Sequence, residues 1–144
     1  MMETFKEFYY IEPASREVLI ERMAKELERR GEIRFAYLFG SFLSEGSFRD
    51  VDVAIYVEED RLPQQEVADY TMGLSHGLAL LVTLPVEVQV LNYAPLGFKH
   101  SVLRHGRVLF SKDEGLRSDL IEAVSLEYMV FYEHSLEYLR DLIH

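Results

Sequence analysis

Asp50-Val51-Asp52 is the segment of this sequence best equipped to do chemistry. It opens an alternating run that puts Val51, Val53, Ile55 and Val57 on one face of a predicted strand and Asp50, Asp52, Ala54 and Tyr56 on the other. Two ionised carboxylates on one strand face repel each other and have no packing role. A hard divalent cation removes that difficulty: magnesium takes oxygen ligands and commonly joins one or two carboxylates to substrate phosphates, and a carboxylate pair can bridge two ions. Glu87 stands alone among Val86, Val88 and Val90 in a later alternating run and is the natural third member if its strand neighbours the first. Gly40-Ser41 follows an apolar run and precedes the acidic pair by a polar loop. Glycine lets the chain turn with exposed N–H groups and the serine hydroxyl adds a donor, a combination that can cradle phosphate. Neither a Walker A loop nor a dinucleotide-binding Gly-x-Gly-x-x-Gly is present. Each motif alone also occurs as an ordinary turn or strand end; their order along the chain is what points to a site.

Those groups need elements to hold them, and hydrophobic periodicity supplies a set. Pro13 to Arg30 reads as a helix with Ile20, Met23, Ala24 and Leu27 on its inner side and Gly31 just past its end. Ile33 to Phe39 reads as a strand, Gly40 to Arg49 as a loop, and Asp50 to Val57 as a second strand. A helix over Gln64 to Val82 follows, in which Gly73 and Gly77 either weaken the element or mark close approach of another backbone. Val86 to Leu91 is a third strand, Pro95 to His105 a short helix, Arg107 to Phe110 a fourth strand. Asp113 to Ile143 is a long helix capped by Ser111 or Asp113. This order predicts one α/β (α+β) domain over residues 1–144, a small mixed sheet flanked by helices.

Composition narrows the partners. Fifteen Lys and Arg against 25 Asp and Glu give a net charge of −10, a field that repels phosphate backbones and anionic lipid, so no direct nucleic-acid contact and no membrane association are expected. The chain has no cysteine, which removes disulfides, thiolate nucleophiles and cysteine metal sites. Its longest apolar stretch, Leu78 to Leu84, falls far short of the roughly 20 residues a membrane helix needs. Glu3, Lys6 and Glu7 argue against a signal peptide. A soluble, cytoplasmic protein is the expectation.

Other charged and aromatic residues carry two readings each. Arg49 can contact phosphate or form a surface ion pair with Glu45 or Asp50. Lys99, His100, Arg104 and His105 can meet a nucleotide or form a solvated helix face; residues 100 and 104 share a side, so not all four converge. His76, in an apolar helix, reads as a hydrogen-bonded core histidine. In the last helix Tyr128-Met-Val-Phe-Tyr132 is apolar on nearly every side, more than one core contact can bury. The helix over 113–143 is therefore expected at a homo- or hetero-oligomeric interface.

The stretch LFGSFLSEGSFRDVDVAI, Leu38 to Ile55, resembles the signature of the polymerase-beta-like nucleotidyltransferases, in particular their minimal nucleotidyltransferase (MNT) group. The similarity continues through Pro85 to Asn92, the His105-Gly106 pair before a short strand, and the final helix. Here the loop from Gly-Ser to the first Asp is shorter than usual, Arg49 occupies a serine position, and Glu87 stands where Asp is commoner.

The resemblance implies a nucleotidyltransferase fold in which Gly40 and Ser41 hold the triphosphate of ATP and Asp50 and Asp52 ligate two Mg2+ ions. Glu87 would bind the catalytic ion and help activate the attacking hydroxyl. It also implies a partner, a HEPN-domain ribonuclease toxin, with this chain the antitoxin that transfers AMP to a toxin tyrosine. Competing readings are nucleotide transfer to a small hydroxylated molecule or an RNA end, and a non-catalytic module that masks the toxin.

Overall fold

The computed structural model describes residues 8–44 and 46–143; Glu3, Lys6, Glu7 and Glu45, which entered the reading above, lie outside them. The elements follow the periodicity closely. Helix α1 (Pro13–Glu28) leads into β1 (Ile33–Phe39), a 3-10 turn at Ser41–Leu43 and β2 (Val51–Val57). Then come α2 (Val67–Val82), β3 (Val86–Val90), α3 (Leu96–His105), β4 (Arg107–Ser111) and α4 (Glu114–Ile143). Pro13 starts α1 at the one place where a missing N–H costs nothing. Asp113 caps α4 by accepting the Leu116 N–H at 3.0 Å. Helix α2 opens with a 3-10 turn at Gln64–Glu66 and stops at Thr83, whose φ of 58° turns the chain into the left-handed region.

The four strands form one mixed sheet in the order β3-β2-β1-β4. β1 pairs antiparallel with both β2 and β4, and β2 pairs parallel with β3 across the α2 connection. One face presents Val51, Val53, Ile55 and Val57 to Met23 and Leu27 of α1 and Leu74 and Leu78 of α2. The other presents Phe35, Tyr37 and Ala54 to Val102 of α3 and Leu116 and Leu120 of α4. Alternation thus sorts every residue of β2 as its pattern predicts. The edge strand β3 is tied to α2 by the Val88 N–H, which donates to Ser75 Oγ at 2.9 Å.

Three sequence expectations change. Helix α1 ends two residues before Arg30, so Gly31 is not its C′ residue; a Cβ there would instead stand 3.1 Å from the Arg61 guanidinium. His76 is exposed, because the buried stripe of α2 is Leu74, Leu78 and Val82 and residue 76 falls on the opposite side. Gly73 and Gly77 share that outer side, with nothing within 4 Å of where a Cβ would be.

Helix α4 is about 45 Å long at 1.5 Å per residue, well beyond the seven-residue central strands. Val124 is its buried residue; from Leu126 onward Met129, Phe131, Tyr132, Leu139 and Ile143 face solvent. No helix of the described residues is long and apolar enough to cross a membrane.

Gly106 lets the C-terminus of α3 settle onto β1: a Cβ there would stand 2.6 Å from the Val102 carbonyl oxygen and 3.1 Å from the Tyr37 ring. Gly106→Ala is expected to destabilise the protein by about 1–3 kcal/mol, the usual cost of overpacking, read as a lowered midpoint in urea denaturation with an unchanged slope.

Candidate active site

The site is assembled by strand direction. Because β2 and β3 run parallel, their N-terminal ends lie together, and the second residue of each, Asp52 and Glu87, are register partners. Partners in a ladder project from the same face, so Glu87 stands beside Asp52 and not across the sheet from it. Because β1 runs antiparallel to β2, its C-terminal end arrives at the same place: Phe39 pairs with Asp52, and Gly40-Ser41 follow at once. Asp50 precedes β2 by one residue. Five of the residues singled out by spacing, Gly40, Ser41, Asp50, Asp52 and Glu87, are therefore gathered at one end of the sheet.

Gly40 has φ 81° and ψ −161°, a conformation essentially reserved for glycine. A Cβ at this position would run into Asp52 Oδ2, so the turn and the carboxylate touch. Phe39 closes one side by meeting Phe98 of α3 edge-on, ring centroids 5.3 Å apart. Gly40, Ser41 and Glu87 are exposed, and Asp50 and Asp52 half-buried, so the group forms an open ledge.

Electrostatics mark Asp52 as the centre of the group. Burial, then the charges of Asp50 and Glu87, push its carboxyl up from 3.8 to about 6. Among the described residues, no three Asp, Glu or His side chains already stand at ligand spacing. The carboxylates thus feel one another without being drawn together. Their all-oxygen donor set suits a hard cation such as Mg2+, and repulsion of the kind that raises Asp52 is what such an ion would relieve.

The remaining candidates scatter. The Arg49 guanidinium lies over the Phe8 ring, 4.7 Å from its centroid, at an exposed position next to Asp50. His100 stacks on Tyr128 with centroids 3.8 Å apart, and with Arg104 it lines a cavity of about 360 Å3 between α3 and α4. Those two residues share a side, as the helical spacing requires, and that side faces α4. Spacing did not single out Arg16, which is buried against the loop after Gly40-Ser41. Its signal was available: it extends the stripe Ile20, Met23, Leu27 back by one turn.

Residues 21–115 match the profile of the family described as polymerase beta, nucleotidyltransferase. The chain belongs to that family. No curated protein matches it. Among solved structures it is similar to the crystal structure of the toxin–antitoxin MntA–HepT, at 18% identity and a TM-score of 0.66 over 89% of this chain and 99% of that one. It is likewise similar to a tri-AMPylated Shewanella oneidensis HEPN toxin in complex with MNT antitoxin, at 18% identity and a TM-score of 0.67 over 90% and 99%. A toxin–antitoxin structure with AMP-PNP aligns at 18% identity and a TM-score of 0.66 over 89% and 98%. At this identity the likeness is one of fold, and it covers about nine-tenths of the chain.

Gly40→Ala forces a left-handed residue and displaces Asp52; the backbone strain by itself costs roughly 1–3 kcal/mol, visible as a lower urea midpoint. For Asp52 the sign is set by its raised pKa: the native state holds this proton more tightly than the unfolded chain, so stability falls as pH rises from about 4 to about 6 and is flat above. In metal-free protein Asp52→Asn is expected to denature at higher urea than the parent at neutral pH, with the difference closing in acid. Parallel pH profiles for the two proteins would contradict the assignment.

Proposed function

We propose that this protein is the antitoxin of a cytoplasmic toxin–antitoxin pair, a single-domain, Mg2+-dependent protein adenylyltransferase that moves AMP from ATP to a tyrosine hydroxyl of a HEPN-domain toxin. The carrying observation is the register pairing of Asp52 with Glu87 on one sheet face, next to Asp50 and the Gly40 turn. Family membership makes nucleotidyl transfer the reaction class. Similarity to folds solved as toxin–antitoxin complexes, one of them AMPylated and one holding AMP-PNP, supports the acceptor and the nucleotide.

In this reading Asp50, Asp52 and Glu87 hold two Mg2+ ions, Gly40 and Ser41 hold the triphosphate, and Arg49 adds a phosphate contact. Ions bound there would lower the pKa of the acceptor hydroxyl and offset charge on the departing pyrophosphate. The acceptor oxygen bonds to the α-phosphorus, the bond from that phosphorus to the bridging oxygen breaks, and pyrophosphate leaves. Glu87, exposed at the rim, receives the hydroxyl proton.

The open ledge favours a macromolecular acceptor. A small hydroxylated molecule needs an enclosing pocket, whereas a tyrosine on a protein brings its own surroundings. The exposed apolar half of α4, with Phe131 at 59% and Ile143 at 79% accessibility, is the surface on which such a partner would dock. The first half of the helix is engaged with this chain's own sheet. A net charge of −10 suits a basic partner. One observation favours a second reading, a masking module without turnover: the carboxylates are not preassembled as a ligand set.

Incubation with α-labelled ATP, Mg2+ and the HEPN partner is expected to add the mass of AMP to a partner tyrosine. Asp52→Asn should lower the rate at least about 100-fold, since even outer-shell partners of a metal site cost 10–100-fold. Tight partner binding with no mass shift under any nucleotide or metal selects the masking module; label on a small acceptor selects the other enzyme class.

A further inference from the structure

Arg16 sits on the buried stripe of α1 at 5% accessibility, and its guanidinium is turned to the loop between Gly40-Ser41 and Asp50. It donates to the carbonyl oxygens of Ile11 (2.7 Å) and Phe42 (3.0 Å) and to those of Ser44 and Gly46. The same group lies over the rings of Tyr10, Phe42 and Phe48, at 5.7, 5.5 and 5.1 Å from their centroids. Backbone pairing ties the end of the loop to the segment just before α1: the Tyr9 N–H donates to Phe48 O at 2.8 Å, and the Phe48 N–H to Tyr9 O at 3.0 Å. Arg16 precedes the residues that match the family profile.

The eight residues between Ser41 and Asp50 include Gly46, Ser44 and Ser47 and would sample many conformations if untied. Alternate carbonyls, at 42, 44 and 46, converge on one point, and carbonyl dipoles aimed at one another repel. A planar cation with donors in a fixed fork is the side chain that can hold them; a lysine is a point charge that cannot match the geometry.

We propose that Arg16 is a positioning residue for the nucleotide site. By gathering the Phe42, Ser44 and Gly46 carbonyls it holds the loop that begins at Ser41 and delivers Asp50, so affinity for ATP depends on a side chain that does not touch it. The inference rests on the nucleotidyl-transfer reading above.

The test uses the full chain, with Arg16→Lys keeping the charge and losing the fork, Arg16→Met losing both, and Arg22→Lys on the exposed side of α1 as control. Amide hydrogen exchange is read in metal- and nucleotide-free protein, and binding of Mg2+ with AMP-PNP by calorimetry. For Arg16→Lys, exchange over residues 41–49 should speed up at least about tenfold with β3 unchanged, and the Kd for AMP-PNP should weaken at least about tenfold, the scale of one lost charged hydrogen bond. Arg22→Lys should alter neither. If Arg16→Met, with four carbonyls losing their donor, unfolds, Arg16→Lys decides. Arg16→Lys with parental nucleotide affinity overturns the proposal, whatever the loop does. A parent protein that binds no nucleotide defeats the nucleotidyl-transfer reading instead, and the exchange arm then decides whether Arg16 holds the loop.

Discussion

The parallel pairing of β2 with β3 is the constraint from which the site descends. Parallel strands put like ends together, so two acidic residues, each second in its own strand, become neighbours. Were β3 antiparallel to β2 over the same residues, Glu87 would stand opposite Ala54 and not opposite Asp52. The parallel arrangement demands a crossover, and α2 supplies it. That helix also holds the edge strand in place, through Leu74 and Leu78 against the sheet and Ser75 against the Val88 N–H.

The site built this way works against the stability of the fold. Asp52 is half-buried between two other carboxylates, and Gly40 occupies a glycine-only conformation in contact with it. Neither feature improves packing. Both are tolerated because the ledge is anchored to a strongly apolar sheet, in which Val51 and Val53 alternate with the acids and are fully buried. Locally unfavourable groups on a rigid base are characteristic of a site where charge awaits a counter-charge.

The molecule divides its labour along its length. At one end of the sheet stand the carboxylates and the Gly-Ser turn, steadied by Arg16 through loop carbonyls. From the sheet's other face pair, α4 runs past its last buried residue, Val124, and exposes an apolar half that its own fold does not cover. A helix longer than the strands it packs on cannot bury all its turns against them. The fold therefore leaves both an open acidic ledge and an unfinished hydrophobic surface, and the proposed antitoxin function uses both.

Much of this was legible in the chain. The period-two pattern of residues 50–57 sorted every side chain of β2 to its observed face, because a strand leaves only two faces to choose between. The helical stripes located α1, α2 and α4, although the C-terminal end of α1 and the orientation of His76 differed: a stripe marks a side, and caps and neighbours decide where it stops. The surplus of apolar residues in Tyr128 to Tyr132 marked a helix exposed in part. Adjacency across the sheet was not in the pattern. Strand order, the parallel sense of β2 and β3, the contact of Gly40 with Asp52 and the reach of Arg16 to three loop carbonyls all join residues distant in sequence. Periodicity records how each segment meets the core; which segments meet each other is settled by packing the whole chain.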